Sequence, residues 1–347
     1  MLLRAIWLTS VALAALSVAG MLLLIVRRMI LARSERKRRQ WRDALMVCIV
    51  DYLDGTGDYY SLARLSGQHP DIAGELIGEM RQLVRGAHRE KLSDLVVSLG
   101  IVAFNLKRLK SRDARQRRLA AAWLAVAPGE GVIAALAMAL DDPDYHVRLE
   151  AVRSLTELRA VRSVVEIVEK LGGEAQYNSR VLYHIFRQLV PELNGQLVEL
   201  LRSEHAVPIK VLALDALGKS GDGALVGPIS ALADDPSEEL RAKALRSLGE
   251  LGYPDAAPFV LRALDDESWR VRTQAANCAG RIGCLAAVPR LTELLGDEQW
   301  WVSYRAAEAL YVLGEEGRRA LADAAARPGH AGRVSELIMA EKTQMAA

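Results

Sequence analysis

One repeat length constrains this chain more than any other feature. Asp142, Asp235, Asp266 and Asp297 stand 93, 31 and 31 residues apart, all multiples of 31. The same step carries a column of Val147, Ile209, Leu240, Val271 and Val302, followed at once by Arg148, Lys210, Arg241, Arg272 and Ser303. Three more columns run in the same register: Ala151, Leu182, Ala213, Ala244, Ala275 and Ala306; Leu155, Phe186, Leu217, Leu248, Ala279 and Leu310; Leu158, Leu189, Ser220, Leu251, Ile282 and Leu313. Within one unit the apolar columns fall at 0, 4, 8 and 11, which is the spacing of one face of an α-helix. Small Ala in the second column lets neighbouring helices approach closely.

Gly221, Gly252, Gly283 and Gly314 share a column just past the last apolar position, where a left-handed residue ends a helix. A shorter helix follows, as in 256–264 or 286–295. Pro258 and Pro289 occupy its first turn, where a missing N–H costs nothing. Each unit is therefore a helical hairpin. The composition agrees, because Ala and Leu dominate and lose little rotamer freedom in a helix.

The runs Val271-Arg272-x-x-Ala275-Ala276-x-x-Ala279-Gly280-x-Ile282-Gly283 and Leu240-Arg241-x-x-Ala244-x-x-x-Leu248-Gly249-x-Leu251-Gly252 resemble the HEAT-like repeats, in the short class also found in phycobilisome lyases. The resemblance covers roughly residues 112–325. Asn178 and Ser179 replace the Val-Arg pair in one unit, which implies a distorted repeat there. Residues 43–110 keep a helical apolar period, with Leu92, Leu95, Val96, Leu99 and Val102, but lose the consensus. The charged stretch from Glu315 to Arg319 suits the polar outer face of a terminal repeat.

The N-terminal segment has a different character. Ala5–Val26 is 22 residues without a charge, long enough as a helix to cross a hydrocarbon core of about 30 Å. Its length argues against a cleaved signal peptide, and it lacks the polar stripe of a core helix. Arg27, Arg28, Arg33, Arg36, Lys37, Arg38, Arg39 and Arg42 follow it, so the positive-inside rule places the bulk of the chain in the cytoplasm.

The expected fold is all-α: a solenoid of about seven 31-residue HEAT-like hairpins, preceded by a degenerate helical region and a single transmembrane helix. The expected divisions are 1–42 (anchor and basic segment), 43–110 (helical cap or degenerate repeats), 111–330 (repeat solenoid) and 331–347 (tail). The expected location is the inner membrane, single-pass, with the N-terminus outside.

A search for chemistry is negative. Asp and Arg recur at an offset of six (Asp142/Arg148, Asp235/Arg241, Asp266/Arg272). The resemblance implies a structural ladder, with Arg reaching a neighbouring turn's carboxylate or carbonyl. Gly218-Lys219-Ser220 ends like a phosphate-binding loop, but Ala213 stands where its first Gly belongs and a helix precedes it. The six histidines show no zinc-binding spacing. Cys48, Cys278 and Cys284 form no C-x-x-C pair, and Cys278 sits in an apolar run as a buried thiol would. No catalytic residue, cofactor or metal is expected.

Two surface features remain. Tyr145, Trp269 and Trp300 share a repeat column, with Trp301 beside the last. Aligned aromatics on a solenoid make a strip for a protein partner, although an indole at that place also covers the junction with the preceding repeat. The second feature is basic: Lys107, Arg108, Lys110, Arg112, Arg115, Arg117 and Arg118 gather seven bases in twelve residues against the single acid Asp113. Together with Arg27, Arg28, Arg36, Lys37, Arg38 and Arg39, this patch suits anionic lipid headgroups or an acidic partner. From residue 119 onward there are 24 bases and 32 acids, which disfavours phosphate backbones.

The expected role is a non-catalytic adaptor on the cytoplasmic membrane face, docking a membrane protein or complex in a bacterial envelope or polysaccharide-synthesis system. No nucleic acid and no small-molecule substrate is expected. The alternatives are a phycobilin-lyase-like enzyme, which the repeat resemblance alone brings in, and a HEAT-like nucleic-acid-binding protein.

Overall fold

The computed structural model describes residues 2–172 and 180–346, with side chains of the first helix described from about Gly20 onward. Asn178 and Ser179, and with them the expected distortion, lie outside the described residues. The described residues form α-helices joined by turns and short 3₁₀ segments, and they divide into two compact units, Met1–Leu158 and Arg159–Ala347.

The first unit begins with α1 (Leu2–Leu53), α2 (Tyr59–Gln68), α3 (Pro70–Leu83), α4 (Ala87–Ser98) and α5 (Ile101–Arg108). Asp58 starts α2 by accepting from the Tyr60 and Ser61 amides at 2.9 and 3.0 Å, which satisfies donors that a helix start leaves open. Leu45, Ile49, Leu62, Leu76, Ile77 and Leu92 close a core between these helices with no exposed surface. Each such Leu or Ile is worth about 1.5–3 kcal/mol relative to exposure. Then come α6 (Ala114–Leu124), α7 (Glu130–Met138) and α8 (Tyr145–Glu157).

The membrane anchor is corrected here. Among the described residues no helix is long and apolar enough to cross a membrane. Residues 5–19 of the expected span lie outside the described side chains. The described apolar side chains between Gly20 and Val26 run straight into the exposed Arg27 and Arg28. The transmembrane helix is therefore withdrawn from the fold class. The inner-membrane location, the N-terminus-out topology, the lipid-headgroup and membrane-protein partners and the envelope-complex setting rested on it, and they are withdrawn too.

The second unit holds α9 (Val164–Leu171), α10 (Arg180–Arg202), α11 (Val207–Leu217), α12 (Val226–Ser230), α13 (Glu238–Leu251), α14 (Ala257–Ala263), α15 (Trp269–Ile282), α16 (Val288–Leu294), α17 (Trp300–Val312), α18 (Gly314–Ala325) and α19 (His330–Ala346). α10 contains Pro191 and leaves helical geometry at Leu193, as a proline that cannot donate to the preceding turn requires. Successive first helices α11, α13, α15 and α17 stack on one another, and α19 packs against α17 and α18. The Ala column is buried at Ala213, Ala244, Ala275 and Ala306. Gly252, Gly283 and Gly314 take φ of 78°, 70° and 83°, a left-handed conformation that stops each first helix at little cost only for glycine.

A second glycine column sets the helix spacing. A Cβ on Gly218 would lie 2.7 Å from Ser247 Cβ, and one on Gly280 would lie 3.0 Å from Ala309 Cα. Backbones therefore meet where α11 crosses α13 and where α15 crosses α17. Ser247, fully buried, donates across the first of these junctions to the Leu214 carbonyl at 2.9 Å.

The recurrent Asp and Arg form an interlock between successive repeats within each unit. Arg241 donates to both carboxylate oxygens of Asp266 at 2.8 and 2.9 Å, and Arg272 to those of Asp297 at 2.9 and 3.1 Å. Arg117 does the same to Asp142 in the first unit at 2.6 and 2.8 Å. The carboxylate is therefore 25 residues ahead of its arginine. The offset of six is also used, but through the backbone: Arg241 donates to the Asp235 carbonyl at 3.0 Å and Arg272 to the Asp266 carbonyl at 2.9 Å. Each aspartate also accepts from the amide two residues on, as Asp266 does from Ser268 at 2.8 Å. Burial alone would raise Asp266, yet the Arg241 and Ser268 bonds hold it below the usual carboxylate range.

Candidate functional site

The interlock uses the repeated charges for structure, and the side chains it leaves outside are the candidates for recognition. Trp269 and Trp300 are the first residues of α15 and α17, and Tyr145 takes that place in α8 of the first unit. Trp269 lies 5.6 Å from the Arg270 guanidinium. Glu238 ties that arginine down at 2.6 Å, and also accepts from the Ser268 hydroxyl at 2.7 Å. Tyr145 lies beside His146 and beneath Arg148, at 5.5 and 5.8 Å.

Trp300 and Trp301 come together at the start of α17 in a three-ring cluster. Their ring centroids are 4.7 Å apart in an edge-on arrangement. Tyr304 stacks on Trp300 at 4.9 Å with an interplanar angle of 27°. Trp300 and Trp301 remain 43% and 52% exposed, so rings that order one another still offer large surfaces to solvent. The Tyr304 hydroxyl donates to Glu341 of α19 at 3.1 Å. Burial, and then the nearby Glu308 and Glu341 carboxylates, push its pKa up. The sequence reading missed Tyr304. The signal was present in its i,i+4 spacing from Trp300, which places both on one helix face. Asn277 and Arg281 of α15, Arg305, Glu308 and Val312 of α17, and Lys342 of α19 line a groove of about 280 Å³.

The basic patch is divided by the structure. Arg27, Arg28, Arg36, Lys37 and Arg39 are exposed along α1. Arg38 instead pairs with Asp71 and Glu75 of α3 at 3.3 and 2.5 Å. Of the second cluster, Lys107, Lys110, Arg112, Arg115 and Arg118 are exposed, Arg117 belongs to the interlock, and Arg108 is half-buried. Arg38, Arg108 and Arg115 come together around a cavity of about 710 Å³.

The residues with a chemical look have structural employment. Lys219 donates to the Tyr183 hydroxyl at 2.8 Å, and Gly218 has ordinary right-handed geometry, so the segment is a helix end and no phosphate cradle. Burial pushes the Cys278 thiol up to about 12, which keeps it protonated and unreactive. Among the described residues no three of His, Cys, Asp and Glu are grouped as a metal ion would require.

Residues 194–277, 225–311 and 261–340 match the family model of HEAT repeats in three overlapping windows. No curated protein matches the chain. Among solved structures, Kap121p bound to Ste12p is 15% identical, with a TM-score of 0.46 over 84% of this chain and 41% of that one. A designed armadillo repeat protein in complex with the peptide (KR)4 is 17% identical, with a TM-score of 0.34 over 61% and 99%. Human deoxyhypusine hydroxylase is 19% identical, with a TM-score of 0.32 over 81% and 98%. Likeness at this level assigns no function.

Proposed function

We propose that the chain is a non-enzymatic protein-interaction scaffold whose repeat unit docks a partner protein at the aromatic cluster of α17. The observation that carries this reading is the exposure of Trp300 and Trp301 beside a stacked tyrosine. Large aromatic rings that are already ordered lose little entropy on binding, and such residues dominate interface energetics. Trp301 is the anchor of the reading and Trp269, in the same unit, is its secondary contact. The exposed bases Arg27, Arg28, Arg36, Lys37, Arg39, Lys107, Lys110, Arg112 and Arg118 belong to the first unit and by themselves suit an acidic partner.

The test is photo-crosslinking in cells with a benzophenone side chain at position 301, and with one at the exposed Leu285 position as control. The reading expects one protein captured from position 301 and absent from position 285. With that partner purified, Trp301→Ala should weaken its binding by about 2 kcal/mol or more, as at interface hot spots, with the thermal unfolding of the chain unchanged. Equal capture from both positions, or unchanged affinity in the variant, would overturn it.

A further inference from the structure

The cavity among α1, α3, α5 and α6 plays no part in the reading above. Its volume of about 710 Å³ is in the usual range of ligand sites, ~300–1,000 Å³. One wall is apolar, made by Phe104, Leu119 and Trp123. The Trp123 ring lies so close over Gly78 of α3 that any Cβ there would overlap it, so glycine is what seats this wall.

The lining also carries the guanidiniums of Arg38, Arg108 and Arg115. Arg38 is held in place by Asp71 and Glu75. Arg108 donates from Nε to Gln116 at 2.6 Å and lies 5.9 Å from the Phe104 ring. Its terminal nitrogens make no bond among the described residues, and neither does the Arg115 side chain. Burial pulls Arg108 below the usual arginine range; Arg38 acts in the same direction, while Asp71 and Asp113 oppose them. That guanidinium is short of counter-charge.

Charge then decides the ligand class. Among the lining residues three arginines stand against Asp71 and Glu75, an excess of one positive charge; Asp113, outside the lining, offsets the burial of Arg108 only in part. A polyphosphate would bring several negative charges up against the two carboxylates. A single carboxylate matches the excess, and the guanidinium fork accepts it with two parallel bonds. The apolar wall suits a hydrocarbon group beside that carboxylate.

We propose that this cavity docks a short acidic segment of a partner protein, with a carboxylate between Arg108 and Arg115 and a neighbouring apolar side chain against Phe104, Leu119 and Trp123. The site does not involve the aromatic cluster of the second unit, so either can fail alone.

The probe is a displayed library of random heptapeptides selected on the full chain. The expected winners carry Asp or Glu beside an apolar residue. A synthetic winner should lose affinity about tenfold or more in Arg108→Gln and in Arg115→Gln, because a charge-assisted bond is removed. In Arg64→Gln, an exposed base of α2 outside the cavity, the loss should stay under about twofold, as a screened surface charge allows. Arg115 is exposed, so the Arg115→Gln result decides the matter if Arg108→Gln lowers the melting temperature. Failure to enrich acidic peptides, an equal loss in Arg64→Gln, or displacement of the peptide by an equal concentration of inorganic phosphate would overturn the proposal.

Discussion

Two regions of this molecule join helices with arginine–carboxylate pairs and use them differently. In the interlock the paired side chains are 8–18% exposed, as in Arg241–Asp266 and Arg272–Asp297. Each guanidinium also bonds backbone carbonyls, and each carboxylate also orders the turn before the next helix. Between α1 and α3 the pairs sit in solvent. Arg38 and Asp71 are 52% and 36% exposed, and Arg42 and Glu79 are 35% and 47% exposed. There the apolar core of Leu45, Ile49, Leu76 and Ile77 holds the helices. A repeat stack buries its apolar layer continuously, with Ala244, Leu248, Ala275 and Leu310 fully buried, and adds a partly buried polar joint at each step. The N-terminal packing also has a buried apolar core, but its ion pairs are surface decoration.

That contrast can be broken by mutation, beginning with its largest consequence. Asp266→Ala leaves the Arg241 guanidinium without its carboxylate and Ser268 without its turn bond, so urea denaturation at neutral pH should show a loss of about 3 kcal/mol, as for removing one partner of a buried pair. A loss below about 0.5 kcal/mol, the range of surface pairs, would erase the distinction.

Gly218→Ala tests whether backbone contact sets the stack. Its new Cβ would stand 2.7 and 2.8 Å from Ser247 Cβ and Cα, and overpacking of that kind costs about 1–3 kcal/mol. An unchanged melting temperature would mean that the helices can part freely.

Acid should weaken the interlock by a smaller amount, because protonation removes a charge and leaves the side chain in place. Asp142 and Asp266 have folded pKa values below their ordinary ones. The stability they supply is therefore present above the unfolded carboxylate pKa of about 3.9 and is lost as pH falls through the lower folded values. The gap between the wild type and Asp266→Ala in urea should narrow over that acid window. A constant gap would remove charge from the explanation.

The smallest effect is expected at the exposed pair. Arg42→Ala should cost about 0.5 kcal/mol or less, and less again at high salt. A loss as large as that of Asp266→Ala would show that the two regions work alike.

Much of the repeat architecture was legible in the residues. The Ala column, the Gly252, Gly283 and Gly314 column and the prolines of the second helices are local signals, each set by what one turn of backbone accepts. The aromatic column was visible too, although Tyr304 needed the i,i+4 rule applied from Trp300. The cavity was not legible as a site. Arg38 lies far along the chain from Arg108 and Arg115, and only the packing of α1 and α3 against α5 and α6 brings them together. The apolar run at the N-terminus supported an anchor that the described helices do not support.

The sequence by itself determined the period, the helical hairpin and the face that each helix buries, because 3.6-residue periodicity and backbone preferences act within a few residues. Tertiary structure alone decided that Arg241 reaches the Asp266 carboxylate and only the carbonyl of Asp235, that Gly218 and Gly280 mark crossings, and that the distant Arg38 joins Arg108 and Arg115 at one cavity. Those are statements about the distance between helices. That distance is set by how side chains on two surfaces interlock, which no local pattern along one strand of sequence records.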